Sequence, residues 1–262
     1  MRLDSYLNLK YAMSRSRAKA LIEKGCVSVN GKLVTKAAFD VDENAEPVVN
    51  VDESAIPYVS RGGLKLSGAL EAYNVAPSGR ICADIGASTG GFTDCLLKHG
   101  AAKVYALDSG SDQLAESLKN DDRVVSIEHF NARNLKEDTF GEKCSLAVAD
   151  LSFISQTYVL DGILSILEDG GEYIGLIKPQ FECGRQAVGK GGIVKKATDH
   201  LYAVERVTDY AVKCGFEVRR VIVSPITGGD GNREFLFHAV KVTSGARRLQ
   251  STSELSALVR EK

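Results

Sequence analysis

Asp84-Ile-Gly86-Ala-Ser88-Thr-Gly90-Gly91-Phe92 closes a short apolar run at 80–85 and opens a helical one at 92–99. A strand that ends in a glycine-rich turn and runs straight into a helix puts free backbone N–H groups at a helix N-terminus. Its glycines let a ligand approach the chain closely. Working outward, strand-like runs (104–107, 124–127, 146–149, 173–177, 218–223 and 235–240) alternate with helical ones (157–167 and 198–213). Such alternation predicts an α/β fold, a parallel sheet with helices on both faces, whose ligands lie at the carboxyl ends of the strands.

The turn selects among nucleotide-type ligands. A Walker loop needs Lys-Ser/Thr after its second glycine, and here Phe92 follows Gly91; a dinucleotide loop needs G-x-G-x-x-G, and Ser88 breaks that spacing. S-adenosylmethionine carries no phosphate. It needs room for a zwitterionic amino acid and an acid for its ribose hydroxyls. Asp108 ends the next strand, 24 residues after Asp84, where that acid belongs. The expected cofactor set is therefore Asp84, Gly86, Ser88, Gly90, Gly91, Phe92 and Asp108, with Asn131 beyond the third strand facing the adenine.

Composition frames this reading. The chain has 262 residues, 44% hydrophobic and 26% charged, with a formal net charge of −1. It holds no apolar run near the roughly 20 residues of a membrane-spanning helix. The opening Met-Arg-Leu-Asp-Ser-Tyr-Leu does not read as a secretory signal, so a cytoplasmic location is expected. The six cysteines and four histidines show no zinc or disulfide spacing, which favours reduced thiols, and no metal site is expected.

Neutrality conceals an asymmetry. Residues 1–36 carry eight basic side chains against two acidic ones, and residues 37–60 carry six acidic and no basic ones. Ser14 is placed to N-cap a helix that stops at Gly25, with Arg15, Arg17, Lys19 and Lys24 flanking an apolar stripe. Val27-Ser-Val29, Asn30-Gly31 and Lys32-Leu-Val34 read as a hairpin. Arg2-Leu-Asp, Ser14-Arg-Ser-Arg-Ala-Lys-Ala-Leu-Ile and Gly25-Cys-Val-Ser-Val-Asn-Gly-Lys together resemble the small α+β RNA-binding domain named after ribosomal protein S-four. That resemblance implies RNA contacts from Arg2, Arg15, Arg17, Lys19 and Lys24, through phosphates rather than base edges. The expected organisation is this domain at 1–54, a linker at 55–60, the α/β domain at 61–244 and a tail at 245–262.

Four charged residues fall where the sheet would gather them: Lys65 in Ser60-Arg-Gly-Gly-Leu-Lys-Leu, Asp150 after the fourth strand, Lys178 after the fifth and Glu234 at the start of the last. A ribose 2′-hydroxyl is a poor nucleophile and must lose its proton as it attacks a sulfonium methyl. An ordinary lysine, with a pKa of about 10.4, is protonated and cannot take that proton. Burial and a second nearby amine would lower it, with the carboxylates fixing the geometry.

The Lys-Asp-Lys-Glu order around such a loop resembles the FtsJ-like ribose 2′-O-methyltransferases. With the basic N-terminal domain, the chain resembles the TlyA family, also labelled hemolysin A. The resemblance implies a Rossmann-like S-adenosylmethionine-dependent sheet with an antiparallel last strand, the Gly228-Gly-Asp-Gly231 turn leading into it. It also implies methylation of cytidine 2′-hydroxyls in ribosomal RNA of assembled subunits, Lys178 as base with Lys65, Asp150 and Glu234 around it, and Arg61 as a further RNA contact. Two rivals remain: a membrane-lytic protein, for which no amphipathic or spanning segment is evident, and a non-catalytic ribosome-binding factor, which has no use for paired buried amines.

Overall fold

The computed structural model describes residues 1–11, 13–52, 57–228 and 231–261. The N-terminal part packs helices α1 (Leu3–Lys10) and α2 (Arg15–Glu23) on a sheet of β1 (Val27–Val29), β2 (Lys32–Val34) and β3 (Val49–Val51), in the order β2-β1-β3. Ser14 caps α2 by accepting from Arg17 N, and Gly25 takes the left-handed conformation (φ 73°) that ends it. Leu3, Leu7, Leu21, Ile22 and Val27 form a small core between helices and sheet. Helix α1 has no counterpart among the expected elements, because its apolar stripe is only Leu3, Tyr6 and Leu7.

The larger part is a seven-stranded sheet of β4 (Ile81–Ile85), β5 (Lys103–Leu107), β6 (Val124–Ile127), β7 (Cys144–Ala149), β8 (Leu167–Ile177), β9 (Phe216–Val223) and β10 (Phe235–Lys241). Its order is β6-β5-β4-β7-β8-β10-β9. Strands β4 to β8 run parallel, and β10 is inserted antiparallel between β8 and β9. Chain order reverses at β4, which makes the carboxyl ends of β4, β5 and β7 the crevice for a ligand. One face carries α3 (Gly62–Tyr73), α4 (Gly91–Lys98) and the short α5 (Glu116–Lys119), packed through Leu66, Leu70, Phe92, Leu96 and Leu118. The other carries α6 (Leu160–Ile166), α8 (Ala197–Cys214) and α9 (Thr252–Leu258), through Ile163, Val204, Val207 and Leu255.

Three local differences have physical causes. The helix expected across 157–167 ends at Ile166, because Leu167 already pairs with Cys144; the register then jumps to Glu172 opposite Leu146, and Gly170 (φ 78°) lies in that irregularity. Of the expected linker, residues 55 and 56 lie outside the described residues, as do position 54 and residues 229 and 230 of the turn before β10. From Pro57 on, the segment packs onto α4: Val59 N donates to Asp94, Lys98 donates to the Pro57 carbonyl, and Tyr58 is buried. The tail is likewise part of the domain. Arg248 bridges alongside β9, and α9 opens with a Ser251/Glu254 capping box and buries Leu255 and Val259.

Candidate active site

The cofactor turn is held by the protein on both sides. Gly86 (φ 86°) lies against the Asp150 carbonyl, where a Cβ would come within 2.9 Å of it. At Gly90 (φ 89°) a Cβ would meet Leu118 at 2.2 Å, and at Gly91 it would meet the Ser60 hydroxyl at 2.2 Å. The glycines at 90 and 91 are thus required by close packing of the turn on its own domain, not only by room for a ligand. Phe92 is buried in α4 beneath the turn.

Asp108 fixes the rim: its two oxygens accept from Ser88 N and Gly110 N, each at 2.8 Å. A carboxylate has about four lone-pair sites, so acceptor capacity remains for a diol. Gly86, Ser88, Asp108, Phe130, Asn131 and Ile154 are among the residues lining a cleft of about 550 Å³. Asn131 is exposed at its edge, and its side chain accepts from Arg133 N.

Beneath the turn lies Asp84, fully buried. One carboxylate oxygen accepts from the Thr93 hydroxyl at 2.7 Å, and the other has no partner among the described residues. Burial, with a contribution from Asp150, raises its pKa to about 7 against the pull of the Thr93 hydrogen bond. A buried acceptor lacking a donor suits a ligand that brings a cation, and the amino group of a zwitterionic amino acid is one.

The four charged residues meet beside this turn. Lys65 stands in the first turn of α3, an element that Gly62 and Gly63 disguise in the sequence. Its Nζ is 2.6 Å from Glu234 and 3.7 Å from Asp150. Lys178 follows β8, with Nζ 2.6 Å from Asp150 and 2.9 Å from the Ser152 hydroxyl. The pairing of Phe235 with Ile177 brings the next residues, Glu234 and Lys178, to the same end of the sheet. Both amines are largely buried, with side-chain exposures of 10% and 11%. They do not simply face each other: Asp150 stands between them, so amines and carboxylates alternate. Burial pushes the Asp150 carboxyl up, and Lys65 and Lys178 outweigh it, holding it below its ordinary range.

Several supporting residues escaped the sequence reading. Glu182, buried in the short helix α7 (Pro179–Glu182), accepts from Ser155 Oγ at 2.5 Å and from Gln156 N at 2.8 Å, fastening the Asp150–Ser155 loop to the segment after Lys178. Phe153 is 91% exposed in a left-handed conformation (φ 64°), its ring 5.2 Å from that of Phe181. Such a backbone costs a bulky residue about 1–3 kcal/mol and marks a functional loop. Ser152, Phe153, Lys178, Phe181 and Glu234 border a second cleft of about 330 Å³.

A third cleft, of about 320 Å³, joins the N-terminal domain to the quartet through Ser14, Arg61, Lys65, Asp150 and Lys178. Of the expected RNA contacts, Arg61 is therefore at the active site and half-buried. Arg15, Lys19 and Lys24 are exposed on or at the end of α2, Arg17 is half-buried there, and Arg2 is held by Asp4 through bonds of 2.8 and 2.9 Å. Lys19 lies 3.8 Å from Glu23, a carboxylate that offsets part of the like charge of Arg15 one turn earlier.

Comparison with known proteins places this geometry. The sequence profile of the FtsJ-like methyltransferases matches residues 58–241, and that of the S4 domain matches residues 1–46. Hemolysin A of Brachyspira hyodysenteriae is 45% identical over 92% of this chain and all of its own length. The 16S/23S rRNA (cytidine-2′-O)-methyltransferase TlyA of Mycobacterium tuberculosis is 44% identical over 86% of this chain and 83% of its own. A solved structure described as a hemolysin from Streptococcus thermophilus superposes with a TM-score of 0.80 at 39% identity, covering 99% of this chain and 94% of that one. An S-adenosylmethionine-dependent methyltransferase from Listeria monocytogenes, at 15% identity and a TM-score of 0.52, shares the fold of the larger domain. With an S4 domain ahead of its methyltransferase sheet, the chain belongs to the FtsJ-like methyltransferases, in the family that includes TlyA and hemolysin A.

Proposed function

We propose that this protein methylates the 2′-hydroxyl of a cytidine in ribosomal RNA within an assembled ribosomal subunit, in the cytoplasm. The reading rests on one observation: Lys178 lines two clefts, and Asp150 and Ser152, the residues that fix its amine, also line the cofactor cleft. S-adenosylmethionine, when bound, supplies an electrophilic methyl on a positively charged sulfur. Asp84, Asp108 and the turn at 86–91 would hold its amino acid and ribose.

The rest of the chemistry belongs to the chain. Lys178 accepts the hydroxyl proton as the oxygen attacks. Lys65 remains between Glu234 and Asp150, so both carboxylates keep a cation beside them throughout the transfer. Asp150 and Ser152 orient the amine, and alignment of the reacting atoms supplies much of the rate. The exposed Phe153 ring offers a π face to a base turned out of its stack.

Transfer of labelled methyl to isolated small and large subunits tests the reading. Lys178→Ala is expected to lower kcat about 10²–10⁴-fold, the usual worth of a positioned base, with cofactor binding retained. An unchanged rate removes Lys178 from the mechanism. The rival reading, a membrane-lytic protein, is favoured by the name hemolysin on two of the similar proteins; among the described residues no helix is long and apolar enough to cross a membrane. Lysis of protein-free vesicles would support it.

A further inference from the structure

Residues 184–196, Gly-Arg-Gln-Ala-Val-Gly-Lys-Gly-Gly-Ile-Val-Lys-Lys, connect α7 to α8 and carry Arg185, Lys190, Lys195 and Lys196 with no acidic residue. All four cations are exposed, and among the described residues none of their side chains has an ion pair or hydrogen bond. Elsewhere in the domain exposed cations without a partner among the described residues, such as Lys136, Lys213 and Arg260, stand singly along the sequence, and many others are paired. Lys98, Lys103, Lys119, Arg123, Lys143 and Arg248 each lie on a carboxylate. Four unneutralised charges in thirteen residues repel one another, and that cost is recovered only against an anionic partner.

The segment is nevertheless tied down. Gly189 N bonds Ile193 O at 2.9 Å and Gly192 N bonds Gly189 O at 3.1 Å, closing the arch on itself. Val194 is buried, and its N–H donates to Asn232 Oδ1 at 3.0 Å, while Asn232 Nδ2 donates to Gly192 O at 2.9 Å. Asn232 is 1% exposed and stands two residues before Glu234, so one strand start positions both the arch and the quartet. Val188 and Gly192 form part of the same cleft wall as Lys178 and Glu234.

We propose that the 184–196 arch is a second phosphate-binding surface, on the methyltransferase domain itself, which grips the RNA backbone next to the nucleotide being methylated. The proposal rests on the RNA-methylating reading. A sugar presented to Lys178 through this cleft carries its neighbouring phosphates past the arch, and phosphate contacts of this kind fix position without reading sequence. The S4 domain would then set where the protein docks, and the arch would hold the strand at the site of chemistry.

The test uses the full-length protein and isolated ribosomal subunits over a series of salt concentrations. Lys190→Gln/Lys195→Gln/Lys196→Gln is expected to weaken subunit binding roughly 10–100-fold at low salt. It should also reduce the slope of log K against log[salt] by about 2–3, since each phosphate contact contributes about 0.7–0.9. S-adenosylmethionine affinity should be unchanged, and the corresponding triple Lys→Arg variant should bind like wild type. Unchanged affinity and slope in the Gln variant, with wild type methylating normally, overturns the proposal and leaves the function standing. Equal losses in the Gln and Arg variants mark a disturbed loop rather than a charge contact and also overturn it. Wild type that neither binds nor methylates RNA removes the underlying reading and the proposal with it.

Discussion

Asp84 and Asp150 close neighbouring parallel strands, one at the end of β4 and one just past β7, yet they have opposite electrostatic fates. Asp84 is sealed in with a hydroxyl donor and, among the described residues, no cation, and burial carries its pKa up to about 7. Asp150 feels burial too, but Lys178 at 2.6 Å and Lys65 at 3.7 Å hold it below the usual carboxylate range. The difference separates two tasks within one crevice. At Asp150 the chain supplies its own counter-charges from two sides. At Asp84 it leaves an acceptor unmatched among the described residues, which in the proposed function the cofactor's amino group would complete.

The most direct way to break the contrast is Asp150→Asn. Lys65 keeps Glu234, while Lys178 is left with Ser152 alone and loses the carboxylate that orients it. The expected loss in kcat is about 10²–10⁴-fold. Because Asp150 is only partly buried, the stability cost is smaller than for a sealed pair, about 1–3 kcal/mol. Methyl-transfer rates and denaturant melts measure the two separately. A variant with near wild-type kcat would show that Asp150 is a structural counter-ion and no part of the reaction.

How much of this was readable in advance follows from what each signal depends on. The strand–turn–helix at 81–98 declared itself because local apolar runs and positive-φ glycines leave few alternatives. The positions of Lys65, Asp150, Lys178 and Glu234 at strand ends or beside the first strand were likewise legible. Helix α3 was not, because its opening Gly62-Gly63 reads as a break. Gly63 is there because a Cβ would lie 2.3 Å from the Tyr58 ring, a tertiary fact. Nor could spacing show that Asp150 stands between the two amines, or that Glu182 and Asn232 fasten their loops, since those contacts cross 26 to 40 residues. The basic arch was hidden by arithmetic, its four charges cancelled in a domain-wide sum near zero.

Asp84→Asn probes the other side of the comparison with a smaller effect. Asparagine keeps the size and a hydrogen bond with Thr93 but cannot become anionic. S-adenosylmethionine binding should weaken roughly 10–100-fold at pH 8, in line with a buried charge-assisted bond. The pH dependence is the sharper readout. With Asp84 at about 7 in the free protein, affinity should rise as pH increases from 6 to 8, and the Asn variant should be flat over that range. Folding shows the opposite sign. An acid raised from 3.8 to about 7 binds more protons folded than unfolded between those values, so ligand-free stability falls as pH rises through that window. Asp84→Asn should remove that decline. Calorimetric titrations and melts at pH 6, 7 and 8 decide both, and a wild-type affinity independent of pH would exclude Asp84 as the acceptor.

Thr93→Val makes the finest adjustment, because it removes the hydroxyl hydrogen bond that opposes burial at Asp84, leaves the Thr93 N–H in place and nearly preserves shape. That bond favours the carboxylate, so its loss should move the Asp84 pKa further above 7, by about one unit. Cofactor affinity at pH 7 should then fall about 3–10-fold, because more of the free protein must lose a proton before it binds. At pH 9 Asp84 is ionised in both proteins, and the variant should approach wild type. The shift of midpoint distinguishes an electrostatic role from a packing one: a methyl group that merely misfits would weaken binding equally at every pH. Stability should change by about 1–2 kcal/mol, the cost of leaving a buried polar group without its partner. A midpoint unmoved by the substitution would mean that the Thr93 hydroxyl does not set the charge on Asp84.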